Sequence, residues 1–154
     1  MSLFLFVSMF MFTACEFYDY DGFVRYNIPD ELVGTVMLPE EWEIVTDEEG
    51  WIQFIDKTTG EVLAEQIDKN YKDYNEYNLK YSEFFPLEYV FGTGYSCGGQ
   101  YYIWNTSTGI EIRTWDFYSD IETSYCIRLY ILREDFSDEF LRQIASSYLY
   151  AGRE

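Results

Sequence analysis

The sequence predicts an α+β fold, an antiparallel β-sheet packed by a C-terminal amphipathic helix. Three observations predict it. Residues 100–132 hold three runs of β-branched and aromatic residues separated by turn formers, residues 51–67 have the form of a hairpin, and residues 136–148 carry apolar side chains at helical spacing.

Strands are expected at 22–28, stopped by Pro29, and at 33–38, stopped by Pro39. Residues 51–56 and 61–67 flank the four-residue loop 57–60, which makes them a hairpin. Residues 68–80, rich in Asp, Asn, Tyr and Lys, show no clean period and read as a loop with room for a short polar helix. After Pro86 the chain resumes β character through residues 87–91. The glycine-rich stretch 92–99 follows, and it reads as a flexible turn because it lacks the basic residue and following helix of a phosphate site.

Residues 101–104, 110–115 and 125–131 are the clearest strands, joined by turns at 107–109 and 119–123. Side chains alternate across a strand, so Tyr101, Ile103, Ile110, Ile112, Tyr125, Ile127, Leu129 and Ile131 can share one face. That face wants a partner. The helix supplies one in the stripe Phe136, Phe140, Leu141, Ile144, Ala145 and Tyr148, with Asp135 or Ser137 as cap, acidic Asp138 and Glu139 at its positive end, and Gly152 after its last turn.

The same alternation turns Tyr102, Trp104, Glu111, Arg113, Trp115, Arg128 and Tyr130 the other way. Flat rings beside charged groups suit a sugar or peptide, so Tyr102, Trp104, Arg113, Trp115, Arg128 and Tyr130 are the candidate ligand-binding residues. The alternative is a second layer over these rings, built from residues 68–80 or from those near Pro86.

The N-terminus carries an apolar run, 2–12, then Thr13, Ala14 and Cys15. Residues 3–14 would span only about 18 Å as a helix, against a hydrocarbon core of about 30 Å. The run is too short for an ordinary transmembrane helix and about right for an export signal. It resembles a bacterial lipoprotein signal, cut just before a cysteine that bears a diacylglyceryl group. The resemblance implies a signal peptide at 1–14, a lipidated Cys15 with an acidic tether at 15–22, and a single α+β domain at 23–154. It places the domain on the outer face of a bacterial cell membrane, lipid-anchored. No Lys or Arg precedes Arg25, so the true start is expected upstream. The alternative is that 3–14 form a buried strand or helix of the domain.

All 28 acidic and 10 basic residues lie beyond Cys15, so the charge of −18 belongs wholly to the chain that follows the signal. Such a surface excludes nucleic acid, whose phosphates need Lys and Arg. It is also repelled by anionic headgroups, which leaves the holding to the acyl chains. At 21% aromatic the chain has ample surface to bury and should fold. With Cys15 lipidated, Cys97 and Cys126 remain as a possible disulfide or as two buried thiols.

Chemistry leaves little mark. The chain has no histidine, so histidine-based triads are excluded and the commonest zinc ligand is missing. The acidic stretch at 18–22 lacks the EF-hand spacing, and no metal or cofactor is expected. Acid pairs such as Glu40 with Glu41, or Asp47 with Glu48 and Glu49, could serve a hydrolase only if two of them met across a cleft.

A second resemblance rests on Leu38, Pro39, Glu40, Glu41 and Trp42 near the domain's start, and on Ile144, Ala145, Ser146, Ser147 and Tyr148 at its end. A Pro-x-x-Trp segment, successive antiparallel strands and a closing helix with a small-Ser-aromatic tail resemble the PsbP and Mog1 superfamily over roughly 23–150. Glu41 stands where many members have glycine. The resemblance implies a helix/sheet/helix sandwich and an accessory or binding role, and it carries over no functional residue. Three expectations follow. The first is a non-catalytic cell-surface lipoprotein with an unknown protein or glycan ligand. The second is a carbohydrate- or wall-binding module, and the third a small carboxylate-dependent hydrolase.

Overall fold

The computed structural model describes residues 18–29, 34–67, 78–89, 96–105, 111–119 and 125–149. Expected features at 1–17, including Cys15, and at 68–77, 92–95, 107–109 and Gly152 lie outside them.

Strands β1 (Phe23–Asn27) and β2 (Thr35–Pro39) form a two-stranded antiparallel sheet. Seven more make the main sheet: β3 (Trp42–Thr46), β4 (Ile52–Asp56), β5 (Val62–Ile67), β6 (Asn78–Tyr89), β7 (Ser96–Asn105), β8 (Glu111–Ser119) and β9 (Tyr125–Ile131). Their order is β3-β4-β5-β9-β8-β7-β6, and every neighbouring pair is antiparallel. Two meanders, β3 to β5 and β6 to β9, thus meet where β5 pairs with β9. One helix among the described residues, α1 (Asp138–Ser146), follows. The molecule is α+β, as the sequence predicts.

Turn chemistry explains the first meander. Asp56 Oδ1 accepts from the Thr58 and Thr59 amides at 2.8 Å each, and Gly60 takes φ +71°, which closes the expected hairpin. Asp47 repeats the device between β3 and β4, accepting from the Glu49 and Trp51 amides at 3.0 and 2.8 Å. Strand β3 goes beyond the strands expected from sequence. Trp42 and Ile44 pack toward the core while Glu43 alternates away.

The glycine-rich stretch departs from expectation at its end, because Ser96 to Gly99 belong to β7. A glycine inside a strand often marks close backbone approach. Here the approaching group is α1. A Cβ built on Gly99 would lie 2.0 Å from the Ala145 carbonyl oxygen.

Ser137 caps α1 by accepting from the Phe140 amide at 3.2 Å. Leu141, Ile144 and Ala145 are the helix's buried residues. The helix ends earlier than its apolar stripe suggests, since Ser147 binds the Ile144 carbonyl through its hydroxyl at 2.7 Å and stops the last turn. Tyr148 is therefore past the helix, stacked on Phe117 with ring centres 5.3 Å apart. Leu149 then exchanges backbone bonds with Thr35 at 2.7 and 2.8 Å, which ties the tail to β2. The core lies between this layer (α1 and the β1-β2 pair) and one face of the main sheet.

Candidate functional site

The register divides β7, β8 and β9 into two faces. Tyr101 pairs with Trp115 and Trp115 with Leu129, while Phe117 pairs with Ile127. These residues face α1. Tyr102 pairs with Thr114 and Thr114 with Tyr130, Trp104 pairs with Ile112, and Asp116 with Arg128. These form the second face.

Four of the six candidate ligand-binding residues, Tyr102, Trp104, Arg128 and Tyr130, come together on the second face as expected. Arg113 and Trp115 do not. Strand β8 sits one residue out from the expected register, and such a slip reverses every side chain. The expected inward residue Ile112 lies on the second face beside Trp104, where it is buried all the same. The bulk of Trp115 and Phe117 explains the choice, since both are fully buried against the helix layer and only one parity of β8 can place them there.

Both displaced residues fasten the helix. Trp115 Nε1 donates to the Leu141 carbonyl at 2.8 Å. Arg113 donates to the carbonyls of Phe136 at 2.5 Å and Arg133 at 2.7 Å, holding the β9-α1 connection to the sheet. Beside it the Tyr101 hydroxyl donates to Asp138 Oδ1 at 2.7 Å.

On the second face, the rings of Tyr102 and Trp104 stack with centres 5.4 Å apart and planes 29° from parallel. The Arg128 guanidinium lies over both, 5.6 Å from one centre and 5.5 Å from the other. It also forks onto Asp116, with Nε donating to Oδ1 at 2.5 Å and Nη2 donating to Oδ2. Asp116 is only 3% exposed, so this carboxylate is buried and matched by a two-point partner. Trp104 Nε1 donates to Thr114 Oγ1 at 3.1 Å. Asp116 and Thr114 escaped the sequence reading. The available signal was an acid set between Trp115 and Phe117 in an apolar strand, which demands a cation nearby.

No family model, curated protein or solved structure matches the chain. The functional reading therefore rests on residues and geometry.

The two cysteines sit on strands that β8 separates, Cys97 on β7 and Cys126 on β9. Part of the stretch expected as a tether, 15–22, is described from Tyr18 onward. Tyr20 reaches α1 through its hydroxyl, and Asp19 Oδ1 accepts from the Asp21 amide at 3.0 Å, so this stretch belongs to the folded domain. Among the described residues no three His, Cys, Asp or Glu side chains are grouped to hold a metal ion, and no helix is long and apolar enough to cross a membrane.

Burial pushes the Tyr101 phenol far above its ordinary 10.0, with the Asp138 carboxylate adding to the shift, and burial raises Tyr20 as well. A raised phenol keeps its proton in the folded chain at pH values where the unfolded chain loses it. Stability is then unaffected below pH about 10 and falls above it. Urea unfolding at pH about 9 and about 11 should show this drop, and Tyr101→Phe should shrink it. An equal drop in that variant would remove Tyr101 as the cause.

Proposed function

We propose that the chain is a lipid-anchored, non-catalytic binding or accessory protein on the outer face of a bacterial membrane. The observation that carries this reading is the apolar run ending at Cys15, followed within five residues by Tyr20, which is already docked on the domain. Among the described residues the core starts at Phe23 and Ile28. Two acyl chains give a stable anchor where one gives only marginal binding.

Kinship with the PsbP and Mog1 superfamily is part of the proposal, and the packing of both motif ends supports it. Trp42 lies 5.3 Å from Phe136 and 5.6 Å from Phe140, and Ser147 Oγ accepts from the Met37 amide at 2.8 Å. Both motifs thus close one core. The full helix/sheet/helix sandwich would place a further helical layer over the sheet's second face. A glycan platform is less well supported, because it loses Arg113 and Trp115 to the helix side and its Arg128 is engaged by Asp116.

The test is metabolic labelling with glycerol or palmitate. The native chain should take up label, and Cys15→Ser should take up none. Native protein free of label would overturn the anchoring.

A further inference from the structure

The chain enters the domain on the outer flank of α1. The Tyr20 hydroxyl donates to the Gln143 carbonyl at 2.8 Å and lies 2.8 Å from Ser146 Oγ, while Gln143 Nε2 donates to the Asp19 carbonyl. The Tyr20 ring meets Phe23 edge-on at 5.6 Å, and Phe23 packs on Phe140 at 6.2 Å. At about 100° per residue, Glu139, Gln143 and Ser146 fall on the side of α1 away from Leu141, Ile144 and Ala145, which are buried. Residues 19 and 20 thus lie on the helix layer, and the sheet's second face is on the opposite side of the molecule.

Four residue steps separate Cys15 from Asp19. Fully extended they reach about 14 Å at most, whereas a domain of this length has a radius of gyration of about 14 Å, that of a solid sphere about 18 Å in radius. The linker is shorter than the radius. A domain held by such a linker cannot turn its far side to the surface that holds it.

Resting on the lipidation proposed above, we infer that the domain is held in one orientation, with the Glu139, Gln143 and Ser146 flank of α1 toward the lipid surface and the sheet face bearing Glu65 and Tyr130 away from it. Asp19, Asp21 and Glu139 are exposed at this flank. Anionic headgroups repel such carboxylates, so the approach is imposed by the short linker and the docked Tyr20, and charge attraction plays no part.

The test uses the lipidated protein, extracted from its membrane and placed in nanodiscs that carry a gadolinium-chelate headgroup lipid. Amide relaxation at Glu139, Gln143 and Ser146 should be enhanced several-fold more than at Glu65 and Tyr130. Equal enhancement, or the reverse order, overturns the orientation. A Gly/Ser insertion of about twenty residues after Glu16 adds an average reach of about 25 Å and should even out the two sets while leaving fold and lipid intact. Asymmetry that survives the insertion overturns the linker's role. Mass spectrometry of the same sample reads the premise separately. A bare Cys15 overturns the anchoring and the orientation with it, whereas lipid on Cys15 with even enhancement overturns the orientation alone.

Discussion

Gly99→Ala is expected to destabilise the domain by about 3 kcal/mol or more, the upper end for an overpacked core. The added carbon would sit 2.0 Å from the Ala145 carbonyl oxygen, 2.9 Å from its carbon and 3.2 Å from Tyr148 Cβ. No side-chain rotation relieves a clash with backbone. The helix itself has to lift from β7, which strains the Trp115 bond to Leu141 and the Tyr101 bond to Asp138. Thermal unfolding should fall by about 10 °C for a loss of that size in a domain of this length. Gly60→Ala is the control, because Gly60 has φ +71° and nothing within 4 Å of an added Cβ. It should cost only about 1 kcal/mol for its left-handed backbone. Equal losses at the two positions would mean that α1 does not cross β7 at Gly99.

Arg128→Ala is expected to cost about 3–5 kcal/mol, the usual penalty for leaving one partner of a buried pair behind. Asp116 has a side chain 5% exposed and receives both arms of the Arg128 fork. Removing the cation takes the guanidinium fork from a buried acid and takes away the flat group lying over Tyr102 and Trp104. Arg128→Leu combined with Asp116→Leu should recover most of the loss, since a matched apolar pair strands no charge. Chemical unfolding of the single and double variants measures this coupling. A cost under about 1 kcal/mol for Arg128→Ala would be that of an exposed pair and would contradict burial of the pair.

Periodic segments were open to sequence reading because one physical demand dominated each. The Asp56 and Gly60 turn makes a hairpin of 51–67, and the apolar stripe with Ser137 before it makes a helix from 138. Strand β8 was not open in the same way. Both of its faces carry apolar residues, Ile112 on one and Trp115 with Phe117 on the other, and a local pattern cannot say which set meets the helix. That ambiguity sent Arg113 and Trp115 to the wrong face. Gly99 sat among other glycines, and only the crossing of α1 explains why a strand needs it. On the second face, Tyr102, Trp104, Arg128 and Tyr130 followed from alternation, whereas Asp116 depended on knowing which strands are neighbours.

Address and architecture meet at the start of the domain. Tyr20 is docked on α1 five residues after Cys15, so the proposed thioether would join the chain close to the folded domain. The most direct measurement is the mass of the N-terminal peptide from membrane-extracted protein. A peptide beginning at Cys15 with a diacylglyceryl group on its sulfur is the expected result. A peptide that still carries residues 1–14 and an unmodified Cys15 would contradict it.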